Sequence, residues 1–433
     1  MMDNAVQEKR DRLVKILAFG AALLLVMVYY LPAWWVSLSA PQYPKEAFPD
    51  GVRINFHLNG VFNGCTLHQK AEIEQTSALN CVHEMDAINH FVGMYPIASG
   101  GVLEKFFAPF LLGMMAVMLV GFAFKDERRR TIILSVGFGV IAIWMAMAYY
   151  APGGIKYQSD QYLSAMVTAL GQGEEETGED ISPIIARLKK SLEESGESSL
   201  QSRDDLKDSL DRSGQGGLMA TLERLHSGSG DTGNAGKLLK DILAEAGNGN
   251  LKGKDLYISI LHASFDADQS RRPPMTREKW TGSGKQVLFW NYKKGLGRWF
   301  NNPKEIEPLV KIMSTVGTIA FWGILLVMIA LVLLTRKTGS LFYYLLAIGP
   351  LMLPFFFLVE YAGWLWWYGH SLNDMGAFTL KAFMPTVIGE GKVAQFTTHS
   401  YPSIGFGVMM VMSAMTGLAL LLRRKQLMDE PKG

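Results

Sequence analysis

Residues 106–150 read FFAPFLLGMMAVMLVGFAF (106–124), KDERRR (125–130) and TIILSVGFGVIAIWMAMAYY (131–150). Each flanking run is long enough to cross a hydrocarbon core of about 30 Å, which takes roughly 20 helical residues. A helix is the form required, because in lipid every backbone polar group must be satisfied within the segment. Neither run alternates as a barrel strand would. The link between them carries Lys125, Arg128, Arg129 and Arg130, which by the positive-inside rule places it in the cytoplasm.

Working outward, the same apolar signature recurs near 14–36, 312–335, 341–362 and 403–422, giving six spans. Lys9, Arg10, Arg12 and Lys15 open the first span, Arg336 and Lys337 lie between the fourth and fifth, and Arg423, Arg424 and Lys425 follow the sixth. All of these clusters fall on one side if every segment crosses, so span count and orientation support each other. Both termini are therefore expected in the cytoplasm of a bacterial inner (cytoplasmic) membrane. Ser37-Leu38-Ser39 offers small residues for signal cleavage, but the preceding apolar run exceeds a signal core. It ends in Tyr29, Tyr30, Trp34 and Trp35, read as an interfacial aromatic belt, so a retained anchor is expected.

The expected fold is an all-α integral membrane protein with six transmembrane helices and a largely helical extracytoplasmic insertion. The expected divisions are 1–38 (tail and first span), 39–104 (outer loop with a Cys pair), 105–150 (spans two and three) and 151–308 (large outer segment). They continue with 309–362 (spans four and five), 363–402 (second outer loop) and 403–433 (span six and tail). Hydrophobic residues make up 49% of the chain, with 10 Trp, 23 Phe and 23 Met, yet they are unevenly spread. A net charge of +2 gives no concentrated basic face, so nucleic acid is not an expected partner. The lipid bilayer is.

Within 151–308, the part from Gly171 to about Asn250 is rich in Gly, Ser, Glu and Asp. Ile184, Ile185, Leu188 and Leu192 repeat at helical spacing, as do Leu238, Leu239, Ile242 and Leu243, while Glu174, Glu175 and Glu176 form a solvated acidic run. A small helical cap joined by loops is expected there. Trp290, Tyr292, Trp299 and Phe300 are expected to pack near the membrane surface.

Cys65 and Cys81 lie on the oxidising side of this topology and are expected to form a disulfide. The alternative is a thiolate metal pair helped by His68 and His83. No C-x-x-C-H occurs, which excludes the usual covalent c-type haem attachment. On a helix, His90 and Met94 share a face, and imidazole with thioether suits copper. Further ligand candidates are Met85 before them and His370, Met375, Met384 and His399 in the second outer loop, against the reading of each His as satisfied by backbone carbonyls. The Gly and Pro density of 363–402 points to a fixed irregular loop. Glu360 stands in the outer part of span five, where a carboxylate is costly unless paired or wet. Pro350 and Pro354 in the same span predict a kink, so a proton or ion relay and an interfacial carboxylate are both open readings. No phosphate-binding Gly loop, G-x-S-x-G elbow or H-E-x-x-H pair occurs, which argues against a self-contained enzyme.

Three stretches carry a family resemblance: Trp34–Pro44 (WWVSLSAPQYP), Ile88–Met94 (INHFVGM), and the loop from Tyr368-Gly369-His370 to His399-Ser400-Tyr401-Pro402. Together they resemble the NosB-type polytopic membrane proteins encoded beside the atypical (clade II) nitrous-oxide reductases. The resemblance covers the spans and two outer loops but not 171–250, which looks like an insertion. It implies a role in nitrous-oxide respiration, which rests on a copper enzyme outside the cytoplasmic membrane. The expected function is a non-enzymatic accessory protein that handles copper or docks a periplasmic copper enzyme or its electron donor. His90 and Met94 would then face His370 and His399. A transporter working through Glu360 and a kinked span five is the rival, a plain scaffold is the bland default, and haem b ranks last because no span holds a His.

Overall fold

The structure, a computed structural model, describes residues 2–41, 43, 45, 48–65, 80–170, 253–377, 380–393 and 395–429. The expectations for Ile184 to Leu192, Leu238 to Leu243, Glu174 to Glu176 and His68 lie outside the described residues.

The described chain is mostly helical. Its long helices are α1 (Met2–Tyr30), α3 (Val102–Ala123), α4 (Glu127–Tyr150), α8 (Pro303–Leu334) and α11 (Ile404–Met428). All five are long and apolar enough to cross a membrane, and a bent pair, α9 (Leu341–Leu351) with α10 (Leu353–His370), makes six if it crosses as one span. Shorter helices are α2 (Cys81–Phe91), α5 (Asp160–Ala169), α6 (Lys254–Ser270) and α7 (Gly284–Gly297). The spans keep lipid-type faces. In α1, Val14, Ala18, Ala21, Leu25 and Val28 are buried at helical spacing, while Ile16, Phe19, Leu23 and Val26 point outward. Of the most apolar stretch of α3, 61% is buried, against 22–33% in the other four, so α3 is the central helix.

A five-stranded antiparallel sheet, which the sequence reading lacks, caps one end of the bundle. Its strands are β1 (Trp34–Ser39), β2 (Val52–His57), β3 (Gly60–Asn63), β4 (Gly389–Val393) and β5 (Phe396–Pro402), in the order β3-β2-β1-β5-β4. Helix α1 and helix α11 pack side by side, and the chain carries that pairing on into β1 and β5, with Trp34 opposite Pro402 and Ser37 opposite His399. The first span thus stops at Tyr30, ahead of Pro32, whose missing N–H cannot continue the ladder. Trp34 and Trp35 are strand residues and not a belt. Trp34 is buried, donates from Nε1 to Ser400 Oγ at 2.8 Å and packs against Phe357, Tyr361 and Phe406. Trp35 stacks on Tyr401 beneath the Arg53 guanidinium.

The segment 363–402, expected as an irregular outer loop, is also more regular than expected. Trp364 to His370 continue helix α10, and residues 389–402 form a hairpin. Helices α9 and α10 meet at 57° around Met352. Pro354 explains the break, since its ring would clash with the carbonyl of Pro350 four residues earlier and it offers no N–H.

At the opposite end, two arginines are fully buried. Arg130 donates to the carbonyls of Phe124 (3.2 Å), Lys125 (3.1 Å) and Thr335 (3.0 Å), and to that of Arg336. Arg423 donates to Asp11 at 2.7 Å and to Ala123 O at 2.8 Å. Both therefore satisfy carbonyls that helix C-termini leave open.

Cys65 and Cys81 are disulfide-bonded with Cα atoms 6.0 Å apart, as expected from the sequence. Trp290, Tyr292 and Phe300 belong to the main buried cluster, packed with Leu163, Met166, Phe265 and Val287 of the helices that follow α4.

Candidate functional site

The site begins with a pair of glycines. Gly101, at φ +60°, turns the chain into α3, and Gly100 lies so close to Tyr368 that a Cβ there would fall 2.1 Å from its hydroxyl. That contact lets Tyr368 donate to Pro96 O at 3.1 Å and ties the end of α10 to the turn before α3. Helix α10 is thus bent away from α9 at Met352 and fastened at Tyr368. Between it and α3 lies a cavity of about 360 Å³, roofed by Phe56, His57, Leu58 and Val61 of the β2–β3 hairpin. Its walls are apolar, with Leu111, Leu112 and Met115 on one side and Phe356, Phe357 and Leu365 on the other.

Into this apolar space come Glu104, Lys105, Glu360 and His57. Glu104 stands in the first turn of α3, where the helix dipole favours a carboxylate. Its Oε1 accepts from Trp364 Nε1 at 3.3 Å, while Oε2 is buried with no hydrogen-bond partner. Lys105 donates from Nζ to Ala98 O at 2.9 Å. Glu360 makes no hydrogen bond or ion pair with any of the described residues. Neighbouring Tyr361 exchanges a hydrogen bond with Ser400 at 3.2 Å, which joins this wall to β5. The ring of His57 donates from Nδ1 to Tyr30 O at 3.1 Å. Burial pulls its pKa down to about 4, so the imidazole is neutral near pH 7 and presents Nε2 as an acceptor. Chemically this is a pocket with an apolar body and a polar pole that has an excess of hydrogen-bond acceptors.

Among the expected site residues, the cavity takes up Glu360 and leaves the others outside its lining. His90 sits in the last turn of α2 with its ring 4.7 Å from Phe300 and 5.3 Å from Trp299, and its Nδ1 is buried without a hydrogen-bond partner. Met94 does not share a helical face with it, because α2 ends at Phe91 and Gly93, at φ +83°, reverses the chain. Met94 is instead buried in the core. His370 stacks on Trp366 at 4.5 Å and bonds its carbonyl at 2.8 Å, as the satisfied-histidine reading expects. His399 lies on β5 with Nδ1 3.3 Å from Glu390 Oε1. Met384 and Met375 are exposed, Met85 is buried, and His83 bonds Arg298 at 2.7 Å. The segments expected as the two outer loops do meet, away from those histidines: Asn373 N–H donates to Gly93 O at 2.7 Å, its Nδ2 donates to Tyr95 Oη at 3.3 Å, and both side chains donate to Glu305. Among the described residues no group of three or more His, Cys, Asp or Glu is placed to hold a metal ion.

Glu104, Lys105 and His57 escaped the sequence reading. Glu104 and Lys105 fell just before the span drawn from 106, although two charges directly after Gly100-Gly101 and at the mouth of an apolar run are a readable signal. His57 carried none, since only the hairpin brings it over the cavity. Comparison of the chain with protein-family models, with curated proteins and with solved structures finds no match.

Proposed function

We propose that this protein is a non-enzymatic membrane accessory protein that takes a small amphipathic molecule from the bilayer into the cavity beside Glu360. The observation that carries this is a carboxylate without a partner among the described residues, set at the wall of an apolar cavity between two spans. An intramembrane carboxylate is costly unless something donates to it, so it selects a ligand with an apolar body and a donating head. The resemblance supplies a setting, support of nitrous-oxide respiration, and the Lys and Arg flanks supply an orientation, with the sheet end of the bundle on the periplasmic side and the arginine end in the cytoplasm. Binding and lateral release give an accessory protein; release to the far side gives the transporter.

The test is photocapture in nanodiscs made with native lipid extract, using a benzophenone side chain in place of Phe356. An adduct enriched over its share of the bilayer, and reduced several-fold by Glu360→Gln, is the expected result. Adducts that merely mirror the bulk lipid, unchanged by Glu360→Gln, would sink the reading.

A second reading, copper handling, is favoured by one observation: the buried, unpartnered Nδ1 of His90. Elemental analysis of the purified protein beside a His90→Ala, His370→Ala double variant tests it. Stoichiometric copper lost in the variant supports it, and equal metal content in both removes it.

A further inference from the structure

Behind Lys105 lies a second, smaller compartment of about 30 Å³, walled by the β2–β3 turn, the turn before α3, and helices α5 and α7. Four of its lining residues bury polar atoms that have no hydrogen-bond partner: Asn59 Oδ1, Ser99 Oγ, and the hydroxyls of Tyr162 and Tyr292. The residues concerned are only 0%, 8%, 3% and 2% exposed. Buried polar atoms are nearly always paired, and four orphans around one small space require a common explanation. A chamber of this size exceeds the roughly 10–15 Å³ that one water molecule needs, and a buried water typically makes about three hydrogen bonds to such groups. The small polar ligand that fits is water. Two residues, Gly100 and Lys105, line both this chamber and the larger cavity.

We infer that the chamber is a binding site for ordered water and that Lys105 carries protons between that water and the carboxylates of the cavity. In the transfer, an N–H bond of the ammonium breaks as an O–H bond forms on a water molecule admitted to the cavity, and an O–H bond of that hydronium breaks as one forms on Glu104 or Glu360, neither of which pairs with Lys105 directly. The neutral amine then takes a proton from the chamber water, which is reprotonated in turn by the solvent beyond it. One ammonium hydrogen is committed to Ala98 O, which holds the head group in place and leaves the other donors free to serve the two sides. The charged and titratable groups around this path are Glu104 and Glu360 in the cavity, Asp86 and Arg298 beside the turn, and Tyr162, Tyr292 and Tyr368. What the protons serve rests on the cavity's ligand reading; the water site stands without it.

Hydroxyl-radical labelling of the whole protein in nanodiscs tests the water, because buried side chains beside bound water are modified while dry ones are not. Tyr343 is the control, equally buried but with its hydroxyl donating to Phe122 O at 2.9 Å. The expected result is modification of Tyr162 and Tyr292 about tenfold faster than Tyr343, lost in Ser99→Val or, if that variant does not fold, in Ala169→Leu. Labelling of Tyr162 and Tyr292 as slow as that of Tyr343 overturns the water site. The relay is tested by infrared spectroscopy at a pH acidic enough to protonate Glu360, following hydrogen–deuterium exchange of the carboxylic band that Glu360→Gln removes. Exchange slowed about tenfold in Lys105→Met supports the relay, and an unchanged rate overturns it. Photocapture at Phe356 in the Ser99→Val variant separates the two claims, since capture should persist there even though the labelling is lost.

Discussion

Arg130 Nε donates to the carbonyl oxygen of Thr335 at 3.0 Å, so a cation at the start of α4 caps the end of α8. Its Nη1 holds the carbonyls of Phe124 and Lys125 just past α3, its Nη2 that of Arg336 beyond α8, and its guanidinium lies 4.8 Å from the Tyr343 ring centroid. The basic residue that orients the hairpin in the sequence is therefore also the joint of three helix ends. Arg130→Met should lower stability by about 3 kcal/mol or more, because it leaves several buried carbonyls unpaired. Arg130→Lys should rescue little, since a point charge cannot reproduce the fork. Thermal unfolding in detergent measures both, and a near wild-type Lys variant would refute the geometric argument.

Asp86 gives a pH dependence with a definite sign. Burial is the largest influence and pushes its pKa up to about 7, against the pull of the Ile97 N–H and of Arg298. Between about pH 4 and 7 the folded protein therefore keeps a proton that the unfolded chain has released, and stability from this group falls as pH rises. His57 acts oppositely: with its pKa lowered to about 4, it costs stability as pH falls from about 6.5 to 4. The two offset in the wild type, so the informative quantity is a difference. Asp86→Asn should gain on wild type steadily from pH 4 to 7 and level off above; a flat difference between the melting curves would contradict the assignment.

The Cys65–Cys81 bond, across a separation of 16 residues, ties the end of β3 to the start of α2. In the chain-entropy model its removal costs about 3 kcal/mol. The Cys65→Ser, Cys81→Ser variant should match reduced wild type in melting temperature and fall below the oxidised protein. Equal stability of all three would show that the tie does nothing for the fold.

Gly93 is required twice over, by its φ of +83° and by Asn373 O, which a Cβ would approach to 2.7 Å. Gly93→Ala should cost about 1–3 kcal/mol and undock the loop after α10. Trypsin cleavage at the exposed Lys381 reads this directly, and a rate equal to wild type would count against the docking role.

What the sequence told and withheld follows from how far each signal reaches. Apolar runs and basic flanks are local, so α3 and α4 are placed to within about four residues, whereas α8 begins well before 312 and α11 runs well past 422, where polar residues continue the helices. The bend at Met352 was legible because Pro354 acts on its own helix. The sheet was not: β1 directly follows a span and reads as its aromatic end, and its partner β5 lies at the far end of the chain, so no local pattern announces the pair. The cavity is the same case, since Glu104 and Glu360 line one space only because α3 and α10 flank it. His90 and His370 drew attention as rare residue types, yet each spends its ring on a neighbouring aromatic surface.

The pairing of β1 with β5 sets an order of events during biosynthesis. Trp34 and Ser400, which share a hydrogen bond, are 366 residues apart, so at 5–20 residues per second the first waits roughly 20–70 seconds for the second. Through that interval β1 has one edge paired with β2, while its other edge, the one β5 takes, stands open. Completion of the cap therefore reports that the chain has been translated through β5, just ahead of α11, and a ribosome that stops earlier leaves an open edge for quality control to recognise.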